Sequence, residues 1–125
     1  MANIRDQCSW VHRGEPADYR ADISLSYAGD TQLEVIAPRT GQSIYTEFLD
    51  EHGPGLHHIC QETDDFEATL AHVASSSTVV AQGEMPGGMK FAYVSAPAAG
   101  VPYVEYAAIP ADIKAFFDHV RQEQK

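Results

Sequence analysis

Polar and apolar side chains alternate along residues 10–15, 22–27 and 32–36, and the turn formers Gly14, Pro16, Gly29 and Asp30 separate the runs. This pattern predicts three antiparallel strands. In the third, Leu33 and Val35 share one face while Gln32 and Glu34 share the other, so a greasy face lies back to back with a carboxylate. After Pro38 a polar loop reaches Ser43, which is suited to cap a helix, and Ile44, Tyr45, Phe48 and Leu49 then fall at helical spacing as far as Asp50. Gly53, Pro54 and Gly55 break the chain, and residues 56–60 resume as a strand. Asp64 or Asp65 opens a second helix with Phe66, Leu70 and Val73 on one stripe, and residues 75–77 end it. Three more strands are predicted at 78–81, 90–95 and 102–107, with Gly83, Pro86, Gly87, Gly88 and Gly100 in the turns. Asp112 then caps a closing helix whose Ile113, Phe116, Phe117 and Val120 line one face, ready to pack on a sheet or on another subunit.

These elements make an α+β chain, and 125 residues suffice for one domain only. The part before residue 56 resembles the part after it with an opening strand and helix removed, a lopsided near-repeat. A hydrophobic fraction of 44% predicts a packed core. Eighteen acidic against eight basic side chains give a formal charge of -10, which repels phosphate backbones and anionic lipid and so disfavours nucleic acid as a partner. No apolar stretch approaches the about 20 residues that cross a bilayer. The N-terminal residues lack a basic region followed by an apolar core, so a cytoplasmic protein is expected. In that compartment Cys8 and Cys60 are expected as free thiols, and two cysteines cannot build a cysteine-rich metal cluster.

Glu34, His58 and Glu105 each sit inside a predicted strand among apolar neighbours, an uncommon place for ionisable groups. Period two puts Tyr103 and Glu105 on one face and Val104 and Tyr106 on the other. His57 and His58, as adjacent strand residues, should point to opposite faces, so one of them at most looks into a given cavity. Two carboxylates and an imidazole on one concave face would offer O and N ligands to a divalent ion such as zinc, nickel, cobalt, manganese or iron. The bland alternative is that the carboxylates face solvent and the histidine is a hydrogen-bonded core or surface residue. Trp10, Tyr27, Phe91 and Tyr93 are candidates to line an apolar substrate pocket, with core packing as their alternative role. The turn from Met85 to Met89 reads as a hairpin connection or as a flap. Nothing marks Cys60, Ser43 or Ser95 as a nucleophile.

The runs GDTQLEVIAP (29–38), SIYTEFL (43–49), GLHHIC (55–60) and VEY (104–106) resemble the vicinal oxygen chelate superfamily, which includes glyoxalase I, methylmalonyl-CoA epimerase, extradiol dioxygenases and bleomycin-resistance proteins. The likeness runs from about Arg13 to Pro110 and is closest to the epimerase-like and glyoxalase-like branch. It implies paired βαβββ modules forming a curved, mostly antiparallel sheet around a concave pocket, with helices on the outer face. Residues 1–50 would be a truncated first module, 51–110 a complete second module, and 111–125 a C-terminal helix. By matching motif, Glu34 is the last-strand metal ligand of module one, and His58 and Glu105 are the first- and last-strand ligands of module two. The family's fourth ligand, a histidine on the opening strand of module one, has no counterpart, and His12 aligns with no ligand position. A missing strand leaves backbone groups unpaired, which favours a homodimer.

The resemblance implies a protein that binds a small oxygenated organic molecule. One function is metal-assisted lyase or isomerase chemistry, with Glu105 and Glu34 moving a proton beside a carbonyl. The other is metal-free binding or sequestration of bleomycin-resistance type. Ring-opening dioxygenation is a weaker third. The acidic balance argues against a highly anionic thioester unless Arg13, Arg20 or Lys90 compensates locally.

Overall fold

The structure, a computed structural model, describes the backbone of residues 2–5, 9–17, 19–85 and 87–123 and the side chains of residues 11–15, 19–85 and 87–123. Its strands are β1 (Ala2–Arg5), β2 (Ser9–His12), β3 (Glu15–Ala17), β4 (Arg20–Ala28), β5 (Thr31–Thr40), β6 (His58–Glu62), β7 (Val79–Glu84), β8 (Lys90–Ser95) and β9 (Tyr103–Ala108). Its helices are α1 (Ile44–His52), α2 (Phe66–Ala74) and α3 (Ala111–Glu123). Two sheets result, one in the order β1-β4-β5 and one in the order β3-β2-β7-β8-β9-β6.

The β4–β5 hairpin turns at Gly29 and Asp30, where Gly29 takes φ 64, a value costly for a side-chain-bearing residue. Along β4, Ala21, Ile23 and Leu25 are buried in alternation. Register sets Leu25 opposite Glu34 and Ile23 opposite Ile36, so cross-strand pairing turns Glu34 toward the buried face of the sheet. Leu33 and Val35 therefore point the other way and stand 46% and 57% exposed. The greasy face of this strand is thus the outer one. The strand also continues past Pro38 to Thr40 where a loop was expected, because β5 is an edge strand and Pro38 needs no ladder donor on its free side.

In the second sheet β6, α2, β7, β8 and β9 follow one another as strand, helix and three strands. β6 lies parallel to β9, with His58 beside Tyr103 and Cys60 beside Glu105, and β7, β8 and β9 are antiparallel neighbours. This is the complete module that the resemblance implied. The first half departs from expectation. The predicted strand at 10–15 is a hairpin bent at Arg13 and Gly14, whose β2 arm pairs with β7 of the second sheet. The third strand beside β4 is instead β1, which the sequence pattern did not show. Pairing partners this distant in sequence are fixed by the assembled sheets, not by local alternation.

Ser43 caps α1: its hydroxyl accepts from the backbone N–H groups of Tyr45 and Thr46, and the Thr46 hydroxyl in turn accepts from the Ser43 N–H. Asp65 caps α2, whose Phe66, Leu70 and Val73 stripe turns inward. The turn after β7 is closed by hydrogen bonds between Met85 and Met89 and between Gly88 and Met85, and Ile113 of α3 packs beside Gly87, so this segment is a hairpin turn. α3 buries Val120 with Ile113 and Phe117 half-buried, packs on β4, and ties Arg121 to Asp30 at 2.8 Å. Phe116, expected on that inner face, is 41% exposed, because the contact stripe follows i, i+4, i+7 from Ile113. The core that backs the second sheet gathers Tyr19, Ile44, Tyr45, Val80, Ala81, Phe91 and Tyr93.

Candidate functional site

Glu34 comes from the middle of β5, His58 from the first residue of β6, and Glu105 from the middle of β9. The strands carry them to one point between the sheets. His58 Nε2 lies 3.5 Å from Glu34 Oε1 and 3.4 Å from Glu105 Oε1, and one donor atom of each residue lies within 4.8 Å of the other two. His58 and Glu105 side chains are each only 9% exposed, while Glu34 is 28% exposed and forms the open side.

The electrostatics follow from this enclosure. Burial penalises charge on His58, but hydrogen bonds to Glu105 and Glu34 and the attraction of both carboxylates outweigh it and push the imidazole up to about 9. Glu105 is raised above the ordinary carboxylate range by burial and by the Glu34 charge, against the opposing pull of His58. The Cys60 thiol, on the same face as Glu105, is pushed far up by burial and by the nearby carboxylates, so it stays protonated and is no nucleophile.

The donor set suits a divalent ion. In a tetrahedral shell with ligand distances of about 2.1 Å, neighbouring donor atoms lie about 3.4 Å apart. His58 Nε2 keeps that spacing from each carboxylate. One nitrogen and two oxygens are ligands for zinc, nickel, cobalt, manganese or iron, and three protein ligands leave a position open.

His57 also belongs here, contrary to the expectation that it would point away. It precedes β6, so strand alternation does not bind it, and its Nδ1 lies 2.8 Å from His58 Nδ1. The rings of Tyr45, Phe48, Tyr93 and Tyr103 surround it, with centroids 4.9 to 6.0 Å away. Burial, together with the charge on His58, pushes His57 down to about 4. The sequence signal was the Gly53-Pro54-Gly55 break, which delays the start of the strand.

The remaining candidates are dispersed. Phe91 and Tyr93 are core residues, 1% and 2% exposed; Tyr93 edges against the His58 ring at 4.9 Å and shares a 2.8 Å hydroxyl contact with Tyr45. Tyr27 lies on the same face of its sheet as Glu34, near the hairpin end, where its hydroxyl accepts from Gln32. The Trp10 side chain and Cys8 fall outside the described residues. His12 stands apart from the trio, 3.2 Å from Glu47, which also holds Arg13 in a two-pronged pair. Lys90 is engaged by Glu67 at 3.5 Å.

The model of the Glyoxalase/Bleomycin resistance protein/Dioxygenase superfamily matches residues 2–93. The chain belongs to that superfamily. Glu34 and His58 lie inside the matched stretch, and Glu105 lies beyond it. Among solved structures, a hypothetical protein from Bacillus halodurans C-125 superposes with a TM-score of 0.60 at 18% identity, covering 72% of this chain and 67% of that one. A Streptomyces coelicolor methylmalonyl-CoA epimerase variant in complex with 2-nitronate-propionyl-CoA superposes with a TM-score of 0.56 at 18% identity, covering 74% of this chain and 69% of that one. Both share the fold, as the epimerase-like resemblance implied. The uncharacterised protein YqjC of Bacillus subtilis (strain 168) is 33% identical over 51 residues, a match spanning 41% of this chain and 36% of that protein.

Proposed function

We propose that this glyoxalase-like chain binds a small oxygenated organic molecule between its sheets and moves a proton on the carbon beside a carbonyl, as a lyase or isomerase. Glu34, His58 and Glu105 would hold a divalent ion, and the convergence of their donor atoms at 3.4 and 3.5 Å is the observation that carries this reading. Such an ion, when bound, polarises a carbonyl oxygen. The protein's own part is proton handling. Glu105, buried and with its carboxyl held above the ordinary range by that burial, is placed to give and take a proton, and Glu34, nearer the opening, is placed to meet the substrate. Isomerisation is the reaction type of the Streptomyces neighbour. Its coenzyme A ligand is not carried over, because a net charge of -10 opposes an anionic thioester.

A second reading is favoured by one feature. His58 Nε2 already stands within 3.5 Å of both carboxylates, so their charge is partly offset without an ion, as a metal-free binding or sequestering pocket needs. Exchange of the C–H beside a carbonyl, followed by NMR in deuterated water across a panel of small oxo and hydroxy acids, separates the two. Metal-dependent exchange that is lost in Glu105→Gln supports the enzyme. Ligand binding with no exchange under any metal supports the binder.

The quaternary reading is a homodimer. β5 ends its sheet, and its outward Leu33 and Val35 leave apolar surface beside an open strand edge. A cytoplasmic location suits the free thiol of Cys60. Among the described residues no helix is long and apolar enough to cross a membrane.

A further inference from the structure

We infer that His57 is a positioning residue, which accepts the Nδ1 proton of His58 and thereby reserves His58 Nε2 for whatever sits between Glu34 and Glu105. This deepens the metal reading above and rests on it. Two imidazole nitrogens 2.8 Å apart must divide their roles, one donating and one accepting. The direction decides what His58 can do. If His57 donates, a neutral His58 accepts at Nδ1 and carries its proton on Nε2, which leaves no lone pair there for a cation. If His58 donates, Nδ1 keeps the proton, and Nε2 is the atom offered to the site. A ring that ligates through Nε2 holds its remaining proton on Nδ1, and the acceptor the fold supplies for it is His57 Nδ1.

The fold holds that acceptor still. His57 is wedged among the rings of Tyr45, Phe48 and Tyr103, with centroids 5.0, 5.3 and 4.9 Å away, and Tyr93 touches both histidines, at 6.0 Å from His57 and 4.9 Å from His58. These contacts fix the plane of His57 without using Nδ1. The preference of a ligating histidine for a hydrogen-bonded second nitrogen is general; its supply here by the preceding residue is a consequence of β6 starting at His58.

The test measures Zn2+ affinity by titration calorimetry for the wild type, His57→Phe and His57→Asn. The phenylalanine keeps a ring in the cage but removes the acceptor, and the asparagine carbonyl restores an acceptor near the place of Nδ1. Zinc binding is expected to weaken about 10- to 100-fold in His57→Phe and to recover most of that loss in His57→Asn. A role in packing alone would reverse the order of the two variants. NMR of protein labelled with 15N-histidine reads the tautomer directly, and Nδ1 of His57 should be unprotonated with its proton on Nε2. A proton on His57 Nδ1, or a His57→Phe variant that binds zinc as tightly as the wild type, overturns the inference. Failure of the wild type to take zinc would overturn the metal reading instead. The zinc-free spectrum then decides the inference alone, which stands with His57 Nδ1 unprotonated and falls with it protonated.

Discussion

Raising the pH of the chelator-treated protein from 7 to 8.5 is expected to cost about 2 kcal/mol of folding stability through His58 alone. The fold lifts this imidazole from 6.5 to about 9, so the native state holds a proton that the unfolded chain has released over this range. The stability so gained is fully present below pH 6.5, falls by about 1.4 kcal/mol per pH unit above it, and is gone once pH passes about 9; its full size is about 3 kcal/mol. His57 has the opposite sign. Held down to about 4, it stays neutral in the fold while the unfolded chain takes up a proton below 6.5, so acid costs stability there. Tyr45 and Tyr93, both pushed well above the ordinary 10, weaken the fold only in stronger alkali. Urea titrations at half-unit pH steps on the wild type and on His58→Gln give the assay, because subtracting the variant removes the titrating groups that lie away from His58. The wild-type advantage should shrink steadily between pH 7 and 8.5. Parallel curves for the two proteins would refute the ion-paired placement of His58.

Tyr93→Phe should cost about 1–3 kcal/mol in the same denaturation assay, since it strands the buried Tyr45 hydroxyl; an unchanged midpoint would contradict that pairing. Ser43→Ala removes an acceptor for two backbone N–H groups at a site only 1% exposed, and a loss of about 1 kcal/mol is expected, with a helical circular-dichroism change confined to fraying of α1. Leu33→Lys combined with Val35→Lys should leave monomer stability within about 0.5 kcal/mol per substitution while dissociating the proposed dimer in sedimentation velocity. Retention of a dimer in that double variant would place the interface elsewhere.

Much of this site could be read before any coordinates. Period-two alternation fixes that Glu34 opposes Leu33 and Val35 and that Glu105 shares a face with Tyr103, and both hold in the two sheets. Alternation does not say which face becomes interior. β5 buries its carboxylate side because that side opposes Leu25 and Ile23, a fact held by the register of β4 and not by β5 itself. Choosing His58 over His57 needed the family motif, and the role of His57 escaped because the strand starts at His58, two residues later than the apolar Leu56 suggests. The exchange of the β2–β3 hairpin into the second sheet was illegible for the same reason that β1 was: short strands take their identity from a distant edge. Of the strand aromatics, Phe91 and Tyr93 take the core-packing role that was their alternative, with Tyr93 also edging against the His58 ring.

The central claim is that Glu34, His58 and Glu105 form one ion-binding centre. Elemental analysis of untagged protein, loaded with zinc or cobalt and freed of excess by gel filtration, tests it most directly. The account predicts about one ion per chain, lost in His58→Ala and in Glu105→Ala while both variants keep the wild-type circular-dichroism spectrum. An ion that survives both substitutions, or a folded wild type that retains none at any supply, would contradict it.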